Sequence, residues 1–167
     1  MQLVGLGVSA QAYLTAFAAE LASLGVDVPE AVYVAAGEIP WDGESLVISL
    51  GMVTQGVPGR NLGTSLVSPS MAISFATLNI ELIREVSTLG VAGGVIQLPT
   101  DEAMATEGVT ALNDAGAMTQ AAINLKAQGI PVPLGVDYSI GQCVPLGPMG
   151  GLAAVRLEIS SSIDGSV

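Results

Sequence analysis

The chain has 167 residues, which is long enough for one domain with a substantial core. It contains no His, one Cys and four basic residues against 15 acidic ones, so its formal net charge is −11. General bases and nucleophiles that act near neutral pH are mostly His, activated Cys or Lys. The composition therefore argues against an enzyme and favours a protein that packs and assembles.

The same composition limits the partners. Binding of phosphate groups relies on clustered Lys and Arg, so we expect no specific nucleic-acid binding and no attraction to anionic membranes. The longest uncharged stretch, 61–80, is interrupted by Asn, Ser, Gly and Pro and does not predict a spanning helix. No Lys or Arg precedes Arg60, which argues against a secretory signal. Half of the residues are apolar, so we expect burial against other subunits.

A helix is predicted over 9–24, with Ser9 as its N-cap and Gly25 as its stop. Its apolar residues recur at helical spacing and predict one buried face, formed by Ala10, Tyr13, Leu14, Phe17, Leu21 and Leu24.

Two short strands are predicted next, over 31–36 and 45–53. The segment 37–44 between them contains Pro40 and Asp42-Gly43, which is turn chemistry. We therefore expect the second strand to return antiparallel to the first.

The segment 54–70 is predicted to be a long irregular connection, a kind that is often functional or interface-forming. Its Arg60 is either a solvated charge or a contact to an acid of another subunit. The following segment, 71–85, is predicted as the longest strand. Its apolar alternation changes phase near Ala76-Thr77, which indicates either a bulge or a strand that faces its own core at one end and a neighbour at the other.

A second loop is predicted over 86–99, and Thr100 or Asp101 then caps a long helix that extends to about Gln128. Gly108 and Gly116 within it either permit close packing or mark a break. One stripe of this helix carries Ala105, Val109, Leu112, Gly116 and Ile123.

The chain ends with an extended segment at 130–145, a tight turn at 145–151 and a cleanly alternating strand at 152–163. The two extended segments should pair as a hairpin. The element order predicts an α+β fold, in which an N-terminal helix and one long second helix pack on a mainly antiparallel sheet. We expect one domain, 1–167.

Few residues suggest a catalytic, cofactor-binding or metal-binding role. Gly5-Leu-Gly7 matches a dinucleotide-binding loop only loosely, and acid pairs such as Asp101-Glu102 suit solvated faces or helix starts. Without His or a Cys cluster we expect no transition-metal site, and we expect no catalytic residue and no cofactor. A Ca²⁺ site built from carboxylates alone stays open. Cys143 is expected to be a small buried hydrophobe.

Six segments carry a resemblance to a known family: Pro-Glu-Ala-Val-Tyr-Val at 29–34, Ile-Pro-Trp-Asp at 39–42, Leu-Val-Ile-Ser at 46–49, Gln-Gly-Val-Pro-Gly at 55–59, Glu-Leu-Ile-Arg-Glu-Val at 81–86 and Gly-Pro-Met-Gly-Gly-Leu-Ala-Ala-Val at 147–155. In this order, around the two helices, they resemble the tail terminator proteins of long-tailed phages, particularly actinobacterial phages. The resemblance covers most of the chain.

The resemblance implies a structural virion protein that forms a homohexameric ring. The ring would cap the tail tube, end its polymerisation and dock to the head connector or stopper protein, while DNA passes through its lumen. It implies assembly in the host cytoplasm and a place at the head–tail interface of the virion. An acidic wall would repel DNA and let it slide.

Two sets of residues follow as expectations. Ring and intersubunit contacts are expected from 37–44, 54–70 and 86–99, with interface residues Trp41, Val57, Pro58, Arg60, Leu62, Leu66, Val91 and Val95. The acids expected to line the lumen are Glu38, Asp42, Glu44, Asp137 and Glu158.

Three alternatives stay open: a neighbouring head–tail joining protein of the stopper kind, an acidic soluble binding module, and a small enzyme that uses carboxylates. An enzyme should show a concave pocket with converging carboxylates of shifted pKa, whereas a ring component should show apolar, Gly-rich edges.

Overall fold

The computed structural model describes residues 6–55, 74–88, 90–92, 95–132 and 138–163. It confirms an α+β fold with the predicted order of the two helices and the main strands. The elements are α1 (Leu6–Ser23), β1 (Ala31–Ala35), β2 (Ser45–Gln55), β3 (Ser74–Glu85), β4 (Gly90–Ala92), β5 (Val95–Gln97), α2 (Asp101–Ala127), β6 (Tyr138–Met149) and β7 (Leu152–Ile163).

Five strands form one sheet in the order β1-β2-β3-β7-β6, and all of its pairs are antiparallel except β1 with β2. The predicted antiparallel return of β2 is therefore wrong. The connecting segment 36–44 does not turn back at the sheet edge. Ile39 and Trp41 pack on the sheet face that lies away from the helices, so the chain crosses that face and re-enters the sheet in the same direction.

Helix α1 lies on the other face of the sheet, where Tyr13, Leu14, Phe17 and Leu21 are fully buried, as predicted. The helix begins at Leu6, so the prediction of Ser9 as N-cap is wrong. It ends as expected at Gly25, whose φ of 83° is the left-handed conformation that terminates helices. Leu24 was expected inside but is 40% exposed, because it follows the last helical turn.

Helix α2 has the predicted limits, and the Thr100 side chain accepts the Ala103 N–H at its start. The stripe of apolar residues seen in the sequence is not the side of α2 that faces the sheet. The residues that pack on the sheet and on α1 are Asp114, Met118, Ala121, Ala122 and Leu125. The stripe with Val109, Leu112 and Ile123 lies on the opposite side and is exposed. Both sides of the helix are apolar, so periodicity alone did not distinguish them.

A register shift in the β2–β3 pair lies between Leu50 and Met52, opposite Leu78 and Thr77. The predicted bulge is thus present at the expected level, but the extra residue is Gly51 of the neighbouring strand. A Cβ at this position would lie 2.8 Å from the Asn79 amide nitrogen.

Strands β6 and β7 form the predicted hairpin. Gly150 and Gly151 both have positive φ, as a two-residue turn between twisted strands requires. The predicted turn over 145–151 is shorter than expected, because β6 continues through Pro145 to Met149. The segment 86–99, predicted as a loop, contains the two-stranded β4–β5 hairpin.

Candidate assembly surfaces

The sheet face away from the helices, called here the outer sheet face, carries its own small core. Val47, Ile83, Leu152 and Ala154 are buried there beneath a layer that partly covers them, formed by Tyr33, Ala35, Ile39, Trp41 and Leu146. Two of the covering residues belong to the crossover 36–44. The outer sheet face is therefore built up by the segment that the sequence marked as a turn.

A buried carboxylate holds the crossover in place. Glu81 lies in the middle of β3, where its side chain is 2% exposed. The Trp41 indole N–H donates to Glu81 Oε2 at 3.1 Å, and Arg156 Nε donates to Glu81 Oε1 at 2.6 Å. Register places Arg156 directly beside Glu81 on β7. The charge of Glu81 is thus paired by a strand neighbour and hydrogen-bonded by the crossover.

Three of the predicted lumen acids lie on this side of the sheet, and a fourth, Glu44, lies at the sheet end. Glu38 and Asp42 are exposed on the crossover, and Glu158 lies between the core residues Leu157 and Ile159 of β7, so it points to the outer sheet face. Glu44, at the start of β2, accepts the Glu85 N–H at 3.1 Å. Asp137 lies outside the described residues.

The three cations in the described ranges all have partners within the subunit. Arg156 pairs with Glu81, and Arg84 forms two hydrogen bonds to Asp114 at 2.9 and 3.2 Å. Lys126 donates to the Tyr138 carbonyl and lies 5.3 Å from the centre of that ring. The charges of Arg84 and Arg156 are therefore paired with carboxylates before any phosphate approaches, whereas Lys126 is held by a neutral carbonyl and remains exposed.

The Arg84–Asp114 pair ties α2 to the sheet. The side chain of Asp114 is 6% exposed and that of Arg84 is 18% exposed. Burial alone would lower the pKa of Arg84, but the hydrogen bonds and charge of Asp114 outweigh this and raise it.

A cleft of about 1020 Å³ lies between the N-terminal half of α2 and the sheet end at the β6–β7 turn. Leu82, Met104 and Val155 contribute to its apolar lining. Among its carboxylates, Asp114 is neutralised by Arg84. The side chain and the backbone N–H of Ser87 both hydrogen-bond Glu107, the N–H at 2.7 Å from Oε1, and these bonds lower the pKa of Glu107. A lowered pKa is the opposite of what a general acid needs.

The predicted interface residues are dispersed. Trp41 is half-buried in the crossover anchor, while Val91 and Val95 lie on the paired strands β4 and β5. Val57, Pro58, Arg60, Leu62 and Leu66 lie outside the described residues. The proposed role of all eight stays a prediction.

Sequence reasoning missed the two internal ion pairs, although a signal was present. Asp114 is the only charge between Gly108 and Leu125, and Glu81 stands between the apolar residues Ile80 and Leu82. A single charged residue in an otherwise apolar stretch must either pair with a buried partner or lie on an exposed face of its element.

Within the described ranges, no three His, Cys, Asp or Glu side chains are grouped so as to hold a metal ion. No helix there has the length and hydropathy needed to cross a bilayer.

Comparisons with known proteins give a likeness among the solved structures. No protein-family model and no curated protein matches the chain. A solved structure described as the virion of a native gene transfer agent particle contains a chain that is similar over 99% of this chain and 100% of its own length. The TM-score is 0.44 and the identity 17%, a level that carries no argument about function.

Proposed function

We propose that the chain is a structural virion protein, a phage tail terminator that assembles into a ring around the DNA path. The observation that carries this proposal is the charge arrangement of the outer sheet face. Exposed Glu38 and Asp42 project from an anchored crossover, and Glu158 shares that face. The cations in the described ranges are engaged internally.

This arrangement suits a wall along which DNA slides. A phosphate that approaches the outer sheet face meets carboxylates, and any binding would require an ion pair of the subunit to open. Repulsion of this kind keeps DNA mobile, whereas free Arg and Lys would retain it. The family resemblance of the crossover segment Ile-Pro-Trp-Asp supports the same role.

Ring closure would use head-to-tail contacts between copies, as cyclic assemblies require. We place these contacts, and those to the tail tube protein and the head connector, on 37–44, 54–70 and 86–99. The single domain 1–167 would be the repeating unit.

The first test is the native mass of the purified protein over a wide concentration range. A discrete species at six times 16.7 kDa, about 100 kDa, with a central opening in electron micrographs would support the ring. A protein that stays monomeric and also fails to cap purified tail tubes would overturn it.

Two sets of variants test the details. Deletion of 61–67 should leave a folded protein that no longer docks to tail tubes, and a deletion variant that still caps them would exclude 54–70 as the contact. Charge reversal of Glu38, Asp42 and Glu158 to Lys should slow DNA ejection and leave ring formation unchanged. A matched reversal of Glu30, which is exposed but precedes β1, serves as the control.

The nearest alternative is a head–tail joining protein of the stopper kind. Such a protein would bind the head connector in the absence of tail tubes, whereas a terminator would be recruited to tube ends first. Order of addition in a reconstitution with purified tubes and heads separates the two roles.

A further inference from the structure

Helix α2 has a second apolar face that the described residues of its own subunit leave largely uncovered. Its residues, called here the outer stripe, are Ala105, Val109, Leu112, Gly116 and Ile123, with the half-buried Thr119, which also contacts Cys143, at its edge. Val109 is 58% exposed, Leu112 68% and Ile123 46%. The stripe lies diametrically opposite the buried residues Asp114, Met118 and Leu125. A helix that is apolar on both sides is expected to be covered on both sides.

The spacing of the outer stripe indicates what covers it. Successive residues are alternately four and three positions apart, which is the seam of one helix packed against another. The stripe runs over 105–123, about 27 Å of helix at 1.5 Å per residue.

We propose that the outer stripe packs antiparallel against the same stripe of a second copy of this chain. Alignment about residue 114 brings three pairs to the same level at once: Leu112 with Gly116, Val109 with Thr119, and Ala105 with Ile123. Two of the pairs, Leu112 with Gly116 and Ala105 with Ile123, join a larger side chain to a smaller one, which favours interdigitated packing. Among the described residues, no atom apart from the adjoining helix backbone lies within 4 Å of a Cβ built at Gly116, which leaves space there for Leu112 of the second copy.

Charge favours the same partner and the same direction. Two copies of net charge −11 repel each other over most of their surfaces, but between Gly108 and Leu125 the only charge is Asp114, which is paired on the opposite side. The antiparallel arrangement places Asp101 and Glu102 of one copy at the level of Lys126 of the other. It also makes the two helix dipoles antiparallel, so that the positive N-terminal end of each helix lies near the negative C-terminal end of the other.

This contact has two-fold symmetry and is therefore distinct from the head-to-tail contact that closes a ring. It concerns the free protein and does not rest on the proposed function. A single pair of helices is smaller than a standard interface, so we expect a weak dimer with a Kd on the order of 10 μM.

Sedimentation velocity across a concentration range that spans the micromolar region tests the dimer. The wild-type protein should shift from monomer to dimer, and Leu112→Asp should raise the Kd at least tenfold. Met149→Asp introduces the same charge at a side chain that is 64% exposed and lies outside α2, at the end of β6, and it should leave the Kd unchanged. Both variants should keep the wild-type circular dichroism spectrum, since both side chains point to solvent.

Cysteine cross-linking tests the register. In a Cys143→Ser background, Leu112→Cys combined with Gly116→Cys should give a covalent dimer on oxidation, because the two positions face each other across the axis. Thr106→Cys combined with Thr110→Cys has the same spacing away from the outer stripe and should not. A wild-type protein that stays monomeric, an oligomer that Leu112→Asp leaves intact, or cross-linking no greater than in the control would each overturn the proposal. A six-membered ring that Leu112→Asp leaves intact would overturn it while supporting the proposed function.

Discussion

Trp41 and Glu81 are 40 positions apart, and the indole N–H of one donates to the carboxylate of the other at 3.1 Å. The bond joins the crossover between the two parallel strands to the centre of the sheet. Because the carboxylate is buried, it depends on its few donors. This contact therefore determines the path of the segment that carries Glu38 and Asp42.

The first prediction concerns this donor pair. Trp41→Phe removes one hydrogen bond to a buried charge and should lower the free energy of unfolding by about 2 kcal/mol. Arg156→Leu removes the only ion-pair partner of Glu81 seen in the structure and should cost more, about 3 kcal/mol. The free energy of unfolding of Arg156→Leu is measured by urea unfolding followed by tryptophan fluorescence. That of Trp41→Phe, which lacks the tryptophan, is measured by urea unfolding followed by circular dichroism.

Tyr33→Phe is the matched control, since Tyr33 also packs on the outer sheet face but gives no hydrogen bond to Glu81. It should change the free energy of unfolding by less than about 0.5 kcal/mol. Equal losses for Trp41→Phe and Tyr33→Phe would mean that the indole N–H contributes nothing.

How far the sequence predicts this fold depends on the kind of pattern each element carries. Strand β7 alternates strictly, as predicted for 152–163, and this alternation places Val155, Leu157 and Ile159 in the core. Helix α1 has one apolar face and was predicted equally well. Such elements can be predicted from sequence because each has one hydrophobic period and one buried side.

The features that the sequence did not predict are ones that no local sequence pattern determines. Helix α2 has two apolar sides, and the one that packs on the sheet also carries Asp114, which pairs with Arg84 of β3. The segment 36–44 has the composition of a turn, yet contacts of Trp41 and Ile39 with distant strands direct it across the sheet. Both outcomes depend on long-range partners, which sequence spacing does not reveal.

A second prediction addresses the tie between α2 and the sheet. Asp114→Ala leaves the Arg84 guanidinium, 18% exposed, without its carboxylate and should lower the free energy of unfolding by about 3 kcal/mol. The double variant Arg84→Met, Asp114→Leu removes both charges and should recover most of this loss, since an apolar pair of similar volume is often as stable as a buried ion pair. Urea titrations give the free energies of unfolding of the wild type, Asp114→Ala and the double variant. A double variant no more stable than Asp114→Ala would contradict the prediction.

A third prediction concerns alkaline pH. Burial, and then the neighbouring Tyr138, raise the pKa of Tyr13 far above its ordinary value of 10.0. The folded protein therefore holds this proton where the unfolded chain releases it. Stability from Tyr13 is fully present below pH 10.0 and falls as the pH rises above it, by about 1.4 kcal/mol per pH unit. Tyr13→Phe keeps the ring in the core and should flatten this slope in urea titrations above pH 10. An unchanged slope would show that other groups cause the alkaline loss.

The last prediction concerns Cys143, which the sequence marked as a small buried hydrophobe. The thiol is half-buried and packs against the main core. Burial raises its pKa above 9.0, and a hydrogen bond with Thr119 offsets this only in part. Since the thiolate is the reactive form, the folded protein should react with Ellman's reagent at pH 8 at least about tenfold more slowly than the urea-unfolded chain. Thr119→Val removes the offsetting hydrogen bond and should slow the reaction further, whereas Thr110→Val, on an exposed turn of the same helix, should not. Equal rates for the folded and unfolded chains would show that Cys143 lies open to solvent.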